Sequence, residues 1–427
     1  SWLLSIISVP CITFWLQRVE SVSLMGRRVW GTVLCTAFSL RLLHIRAPGR
    51  AMAVSRVTGK APGPFPVGVT TMQLDDLSRK DQDGPRSLQT EIWYPAAEET
   101  RELPRNRFSE FLGRGVIPGS IEAAEAKDAI GGYRDDLTIK ELDETWPNEA
   151  VRDARIRDSD AEGWPLVIFS HGSGAYRASY IFFTEFLASQ GFVVMACDHP
   201  GSARYTQVNG KIIKPGGPRS ERPQMEADRP KDVMFLLDAM TKLASGQDSR
   251  FAGRVNVNLT ALTGMSFGGF TTAACLEEGD SRVKAAIMMC PSLLMSANGR
   301  VIKERTNIKT PVMMMIGSED YVLGAEGGEA CRQYSLKPEG SSFLVEIQLG
   351  GHCSFTSCEL YNPAYGNGIG ESKSLSKPGE TYQALDIVKQ HEIINTYALA
   401  FLDKYLRGGD DALLKENKFE EHMIYRT

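Results

Sequence analysis

The stretch VNVNLTALTGMSFGGFTTAACLEE, residues 255–278, decides the fold. Val255 to Leu262 alternates apolar and polar residues as a strand does, and from Phe267 onward the composition suits a helix. Strand, sharp turn, helix is the reading, and Ser266 stands at the turn. A connection that tight forces its central residue into strained backbone and brings neighbouring chain close, so glycine is needed two positions before and after. Gly264 and Gly268 occupy those positions. Ser266 is the candidate nucleophile. The Phe267 amide, at a helix N-terminus, is the candidate donor for a developing oxyanion.

Working outward, Trp164 to Phe169 reads as a buried strand that ends in Ser170-His171-Gly172-Ser173-Gly174. This fits the loop after the third strand of an α/β-hydrolase, a mostly parallel, doubly wound sheet, and places a second oxyanion donor at the Ser173 amide. In that fold the order along the chain is serine, acid, histidine. Of six histidines only His352, His391 and His422 follow Ser266. His391 falls in a helix-like stretch, Tyr382 to Leu406, and His422 in a charged tail. His352 follows the strand-like run 343–349 in a Gly350-Gly351-His352 loop and is the candidate base. The apolar run 311–316, of the kind that a parallel strand buried on both faces shows, ends in Gly317-Ser318-Glu319-Asp320. Asp320 is the candidate acid, and the adjacent Glu319 is the alternative. Met265 and Phe267, flanking the nucleophile, are read as shaping an apolar acyl pocket, and Tyr176 as a further substrate contact. Asp198-His199 precedes the serine at a strand end and is read as loop structure.

The segments Ile168 to Gly201, Gly63 to Thr71 and Thr90 to Ala96 together resemble the platelet-activating factor acetylhydrolase family and its bacterial relatives, the predicted dienelactone hydrolases. The resemblance covers about residues 60 to 410. It implies a serine esterase that removes short acyl groups without a metal or other cofactor, in the best-known members from the sn-2 position of a phospholipid. The animal members of that family carry the triad aspartate after the sixth strand. Here that place reads Ala285-Ala-Ile-Met-Met-Cys-Pro-Ser292 with no acid, and the carboxylate comes after the seventh strand, as in the bacterial relatives. The resemblance thus points first to an acetylhydrolase of short-acyl lipid esters, with a general carboxylesterase or a dienelactone-type hydrolase as the alternative, since the shifted carboxylate leaves the phospholipid substrate open. A catalytically inactive binding module remains as the reading outside enzymes.

A hydrophobic content of 42%, a charged content of 23% and a net charge of −4 suit a globular core and give no footprint for nucleic acid. Residues 61–410 are expected to form one catalytic domain with insertions at 101–162 and 202–228, followed by a tail, 411–427. Phe108, Phe111, Leu112 and Trp146 of the first insertion are candidates for a lid, against a solvated excursion as the simpler reading. Arg204, Tyr205 and Arg219 of the second are candidates for substrate contact. From Arg229-Pro-Lys-Asp232 a helix is expected to pack on the sheet. Residues 1–60, apolar in part and arginine-rich, read as a targeting leader or a mispredicted start, with Met52 an alternative beginning and membrane-surface contact one use. Eight cysteines make no disulfide scaffold, although Cys353 and Cys358 flank the His352 loop closely enough to pair.

Overall fold

The structure, a computed structural model, describes residues 63–81, 84–112, 137–145, 148–160, 162–294, 308–336, 341–358 and 362–427. Residues 1–60, read above as a leader or a mispredicted start, and Trp146 lie outside these residues, as does the side chain of Arg219. Fourteen strands are described, in chain order β1 (Val67–Asp81), β2 (Gly84–Pro95), β3 (Ala150–Arg152), β4 (Trp164–Ser170), β5 (Val193–Cys197), β6 (Thr206–Val208), β7 (Lys211–Ile213), β8 (Val255–Met265), β9 (Val283–Met289), β10 (Val312–Gly317), β11 (Ser342–Ile347), β12 (Glu371–Lys373), β13 (Thr381–Gln383) and β14 (Met423–Arg426). Ten make one sheet, in the order β14-β11-β10-β9-β8-β4-β5-β2-β1-β3. From β5 to β11 neighbouring strands run parallel. The β1–β2 hairpin and β14 add antiparallel strands at the two sides.

Composition explains this order. The central strands read as unbroken apolar runs, such as Leu166-Val-Ile-Phe and Val312-Met-Met-Met-Ile, and each of these residues is buried. Parallel strands covered on both faces need that pattern. Helices Ile181–Ser189 and Ile387–Arg407 contact each other over the sheet, as do Arg222–Lys242 and Phe267–Glu278, and the two pairs supply the cover.

Several boundaries depart from the sequence reading. The helix expected from Arg229 begins at Arg222, with Pro223 in its first turn and Pro230 inside it. Residues 222–228, assigned to the second insertion, are therefore helical. The C-terminal helix starts at Ile387, because Asp386 caps it by accepting from the Val388 and Lys389 amides. Tyr382 lies instead in β13, paired with Ser372. The segment read as a tail contributes β14 to the sheet. Phe108, Phe111 and Leu112 pack into the core with at most 1% exposure. Cys353 and Cys358 are free thiols, and the first hydrogen-bonds to the second. No helix among the described residues is long and apolar enough to cross a membrane.

Candidate active site

Four parallel neighbours, β8, β9, β10 and β11, end at one edge of the sheet, and the candidate residues stand on the turns that follow. Ser266 comes directly after β8, with φ 55° and ψ −114°. A non-glycine residue held there costs about 1–3 kcal/mol. Neighbouring chain over-determines it: the Ser266 amide donates to the Met289 carbonyl at 2.8 Å, and its carbonyl accepts from the Ser292 amide at 3.1 Å. A Cβ on Gly264 would lie 2.3 Å from the Gly268 carbonyl oxygen, so the turn closes only with glycine there. Ser266 is partly exposed, while Met265 and Phe267 on either side are buried.

His352 and Asp320 meet on the same edge, with His352 Nδ1 2.8 Å from Asp320 Oδ2. The second carboxylate oxygen accepts from the Val322 and Leu323 amides at 3.0 and 2.9 Å. Burial alone would raise the Asp320 pKa. The charge and hydrogen bond of His352, the Cys290 thiol and the Leu323 amide overcome it, and the pKa lies below the ordinary aspartate value. Cys290, directly after β9, brings its sulfur within 4.8 Å of ligand-type atoms of both Asp320 and His352. The alternative acid points elsewhere. Glu319 accepts from the Leu375 and Ser376 amides and from the Ser374 and Ser376 hydroxyls, which ties it to the 374–376 turn.

The two candidate oxyanion donors lie on different segments. The Phe267 amide opens the Phe267–Glu278 helix, and the Ser173 amide belongs to an exposed turn after β4; neither has an acceptor among the described residues. The Gly172 amide, by contrast, is taken by Tyr180 Oη at 2.9 Å. Met265 and Tyr176, read as substrate contacts, are 3% and 0% exposed; Met265 Sδ packs 3.7 Å from Tyr180 Oη beneath the turn. Burial gives both a packing role. Tyr205 is likewise fully buried, which removes it from the candidates for substrate contact. The β6–β7 hairpin of the second insertion does border open space, a cavity of about 360 Å³ shared with Asp81, Pro85, Pro200 and Gly201.

The sequence reading missed a second serine–histidine–aspartate constellation. Ser170 Oγ lies 2.9 Å from His199 Nε2, and His199 Nδ1 lies 2.9 Å from Asp232 Oδ2. All three are at most 1% exposed. Arg86 forks onto Asp232 at 2.6 and 2.7 Å, and Arg229 donates to Ser170 Oγ at 3.1 Å. Burial and the charge of Arg229 pull the His199 pKa down to about 4, so its imidazole is neutral at pH 7. Burial opposes the charge of Asp232 too, but Arg86 overcomes it and holds this carboxylate far below its usual range. A serine sealed from solvent and already engaged by a guanidinium meets no substrate. His199 is therefore loop structure of a specific kind, a wired core beneath the Ser173 turn. The sequence did signal part of it: Asp198-His199 at a strand end, and charged residues at 226, 228, 229, 231 and 232 within one helix.

Comparison with known proteins agrees with these elements. Residues 52–215 match the family model described as platelet-activating factor acetylhydrolase, isoform II. The platelet-activating factor acetylhydrolase of Cavia porcellus is 25% identical over 270 residues, 57% of this chain and 58% of that protein. That of Canis lupus familiaris is 26% identical over 388 residues, 81% and 77% of the two chains. A probable 1-alkyl-2-acetylglycerophosphocholine esterase of Arthroderma benhamiae is 25% identical over 285 residues, 61% and 63%. The matched region is thus under two thirds of the length of the first and third of these relatives. A ferulic acid esterase from Streptomyces cinnamoneus superimposes with a TM-score of 0.64 over 88% of this chain and 100% of its own, at 23% identity, which speaks for the fold. Sheet order and the strained serine turn fit an α/β-hydrolase fold, and the sequence similarity lies with the platelet-activating factor acetylhydrolase family.

Proposed function

We propose that the protein is a carboxylic-ester hydrolase that uses Ser266, His352 and Asp320 as a catalytic triad and passes through an acyl-enzyme. The observation that carries this is the strained Ser266 turn, on the same sheet edge as the 2.8 Å His352–Asp320 pair. Ser266 Oγ attacks the ester carbonyl while His352 Nε2 takes its proton. Asp320 accepts from Nδ1–H, fixing the tautomer and stabilising the imidazolium. The Phe267 and Ser173 amides, with no acceptor among the described residues, hold the tetrahedral oxyanion. His352 then protonates the departing alcohol, and a water activated by the same imidazole releases the acid.

The substrate we propose is a short-acyl lipid ester of the platelet-activating factor type, on the strength of the matched family model and relatives. A second reading, a general carboxylesterase or dienelactone-type hydrolase, is favoured by one feature: the turn after β9 offers Cys290 where a carboxylate would otherwise stand, and the acid follows β10. Hydrolysis of a platelet-activating factor analogue beside acetyl, butyryl and octanoyl esters separates the two. Ser266→Ala is expected to lower kcat by about a million-fold on any of them. Retained turnover in that variant would remove the triad, and no turnover or fluorophosphonate labelling of the native chain would leave a binding module.

A further inference from the structure

Arg229 lies on the Arg222–Lys242 helix, 1% exposed and out of reach of substrate, yet it touches both segments that carry the proposed oxyanion donors. On one side its guanidinium carbon sits 4.3 Å from the centre of the Phe267 ring. On the other, Nη2 donates to the His171 carbonyl, two residues before Ser173, and Nη1 donates to Ser202 Oγ at 3.0 Å. The Ser202 carbonyl in turn accepts from the Gly174 amide at 3.3 Å, one residue after Ser173. The Ser173 turn is thus tied down on both flanks through a single side chain. We propose that Arg229 is a positioning residue that sets the Phe267 and Ser173 amides against one another for the oxyanion; this rests on the ester-hydrolase reading of the site.

Three features distinguish this from ordinary core packing. The acceptors of Arg229 are two hydroxyls and a carbonyl, all neutral, and its Nε is buried with no hydrogen-bond partner among the described residues. A side chain kept for stability alone would scarcely be a buried cation with no carboxylate hydrogen-bonded to it, since burying a charge costs more than the distant Asp232 returns. The planar fork is what lets one residue reach two hydroxyls, a carbonyl and a ring face at once, and a lysine ammonium cannot reproduce that. Finally, the Ser173 turn lies outside every helix and strand, so side-chain ties rather than ladder hydrogen bonds fix where its amide stands.

The test uses the full chain with Arg229→Lys and, separately, Phe267→Leu, which keeps the amide and removes the ring. Each is assayed for kcat, KM, circular dichroism and affinity for an aryl trifluoromethyl ketone, which adds to the serine as a tetrahedral oxyanion. Arg229→Lys is expected to lose about 100-fold in kcat and a similar factor in ketone affinity, with KM within about threefold. Phe267→Leu is expected to lose about tenfold in both. A folded Arg229→Lys protein with native kcat and ketone affinity, or one changed in KM alone, would overturn the proposal. If Arg229→Lys does not fold, native ketone affinity in Phe267→Leu overturns it instead. Fluorophosphonate labelling separates the two levels. A native chain left unlabelled at Ser266 sinks the hydrolase reading and this proposal with it, whereas a labelled native chain and an equally fast Arg229→Lys sink the positioning role alone.

Discussion

A Cβ on Gly268 would lie 1.8 Å from the Ser170 carbonyl oxygen, so the helix that begins after Ser266 rests directly on the strand end that launches the Ser173 turn. Gly268→Ala must push these two backbones apart. We expect a stability loss of about 3 kcal/mol, the upper range for overpacking, and a kcat about 100-fold lower from misplacement of roughly an ångström. Urea unfolding and steady-state kinetics check both, and native values for either would show that the contact relaxes without consequence.

Asp320→Asn removes the charge opposite His352 and lets the wrong tautomer form, for which a fall in kcat of about 10⁴ is expected. Glu319→Gln should cost less than about tenfold, because that carboxylate serves the 374–376 turn. Comparable losses in the two variants would mean that the acid has been assigned to the wrong neighbour.

His171, His199 and His391 are all buried, and burial lowers the pKa of each, to about 4 for His199 and about 3 for His391. Between pH 6.5 and about 4 the unfolded chain binds protons at these positions that the folded chain does not. Stability therefore rises with pH across that window and falls on acidification, by about 1.4 kcal/mol per pH unit for each histidine. His391 stacks on Phe182 with ring centres 3.8 Å apart, and His391→Gln should flatten the slope by one histidine's share. Denaturant midpoints measured from pH 7 to 4.5 give the slope, and an unchanged slope in the variant would show that His391 is protonated in the folded state.

Two serines stand in hydrogen-bonded histidine–aspartate settings or beside one, and a fluorophosphonate should choose between them by access. Peptide mapping is expected to find the adduct on Ser266, absent in Ser266→Ala and still on Ser266 in Ser170→Ala. An adduct on Ser170 would mean that the core opens in solution.

The candidate site was legible wherever its chemistry coincides with backbone pattern. Ser266, Asp320 and His352 each follow a strand, and glycine marks each turn, so order along the chain was enough to nominate them from one sequence. Glu319 could not be separated from Asp320 that way, because which of two adjacent carboxylates faces a histidine depends on donors 55 residues downstream. The helix start at Arg222 was hidden for a related reason. Glu226, Asp228, Arg229 and Asp232 are buried, yet charged residues at such spacing look like a solvated face, and it is partners far along the chain, such as Arg86 and His199 on Asp232 and Ser170 on Arg229, that show them to be interior. Composition alone did not place Phe108 and Phe111 in the core, because buried rings and the rings of a cover are equally apolar.

The strand β14 has a consequence for how this protein behaves in company. It pairs along β11 from Ile347 to Leu344, and the Gln348 amide donates to the His422 carbonyl at 2.8 Å, so the outermost parallel strand offers no open row of amides on that side. Without residues 423–426 that border would be free to recruit a strand from another molecule, and edge-to-edge association would begin five residues from His352. With β14 in place the border is a four-residue strand carrying Arg426, a shorter and more charged template for another molecule than the six-residue β11 would be.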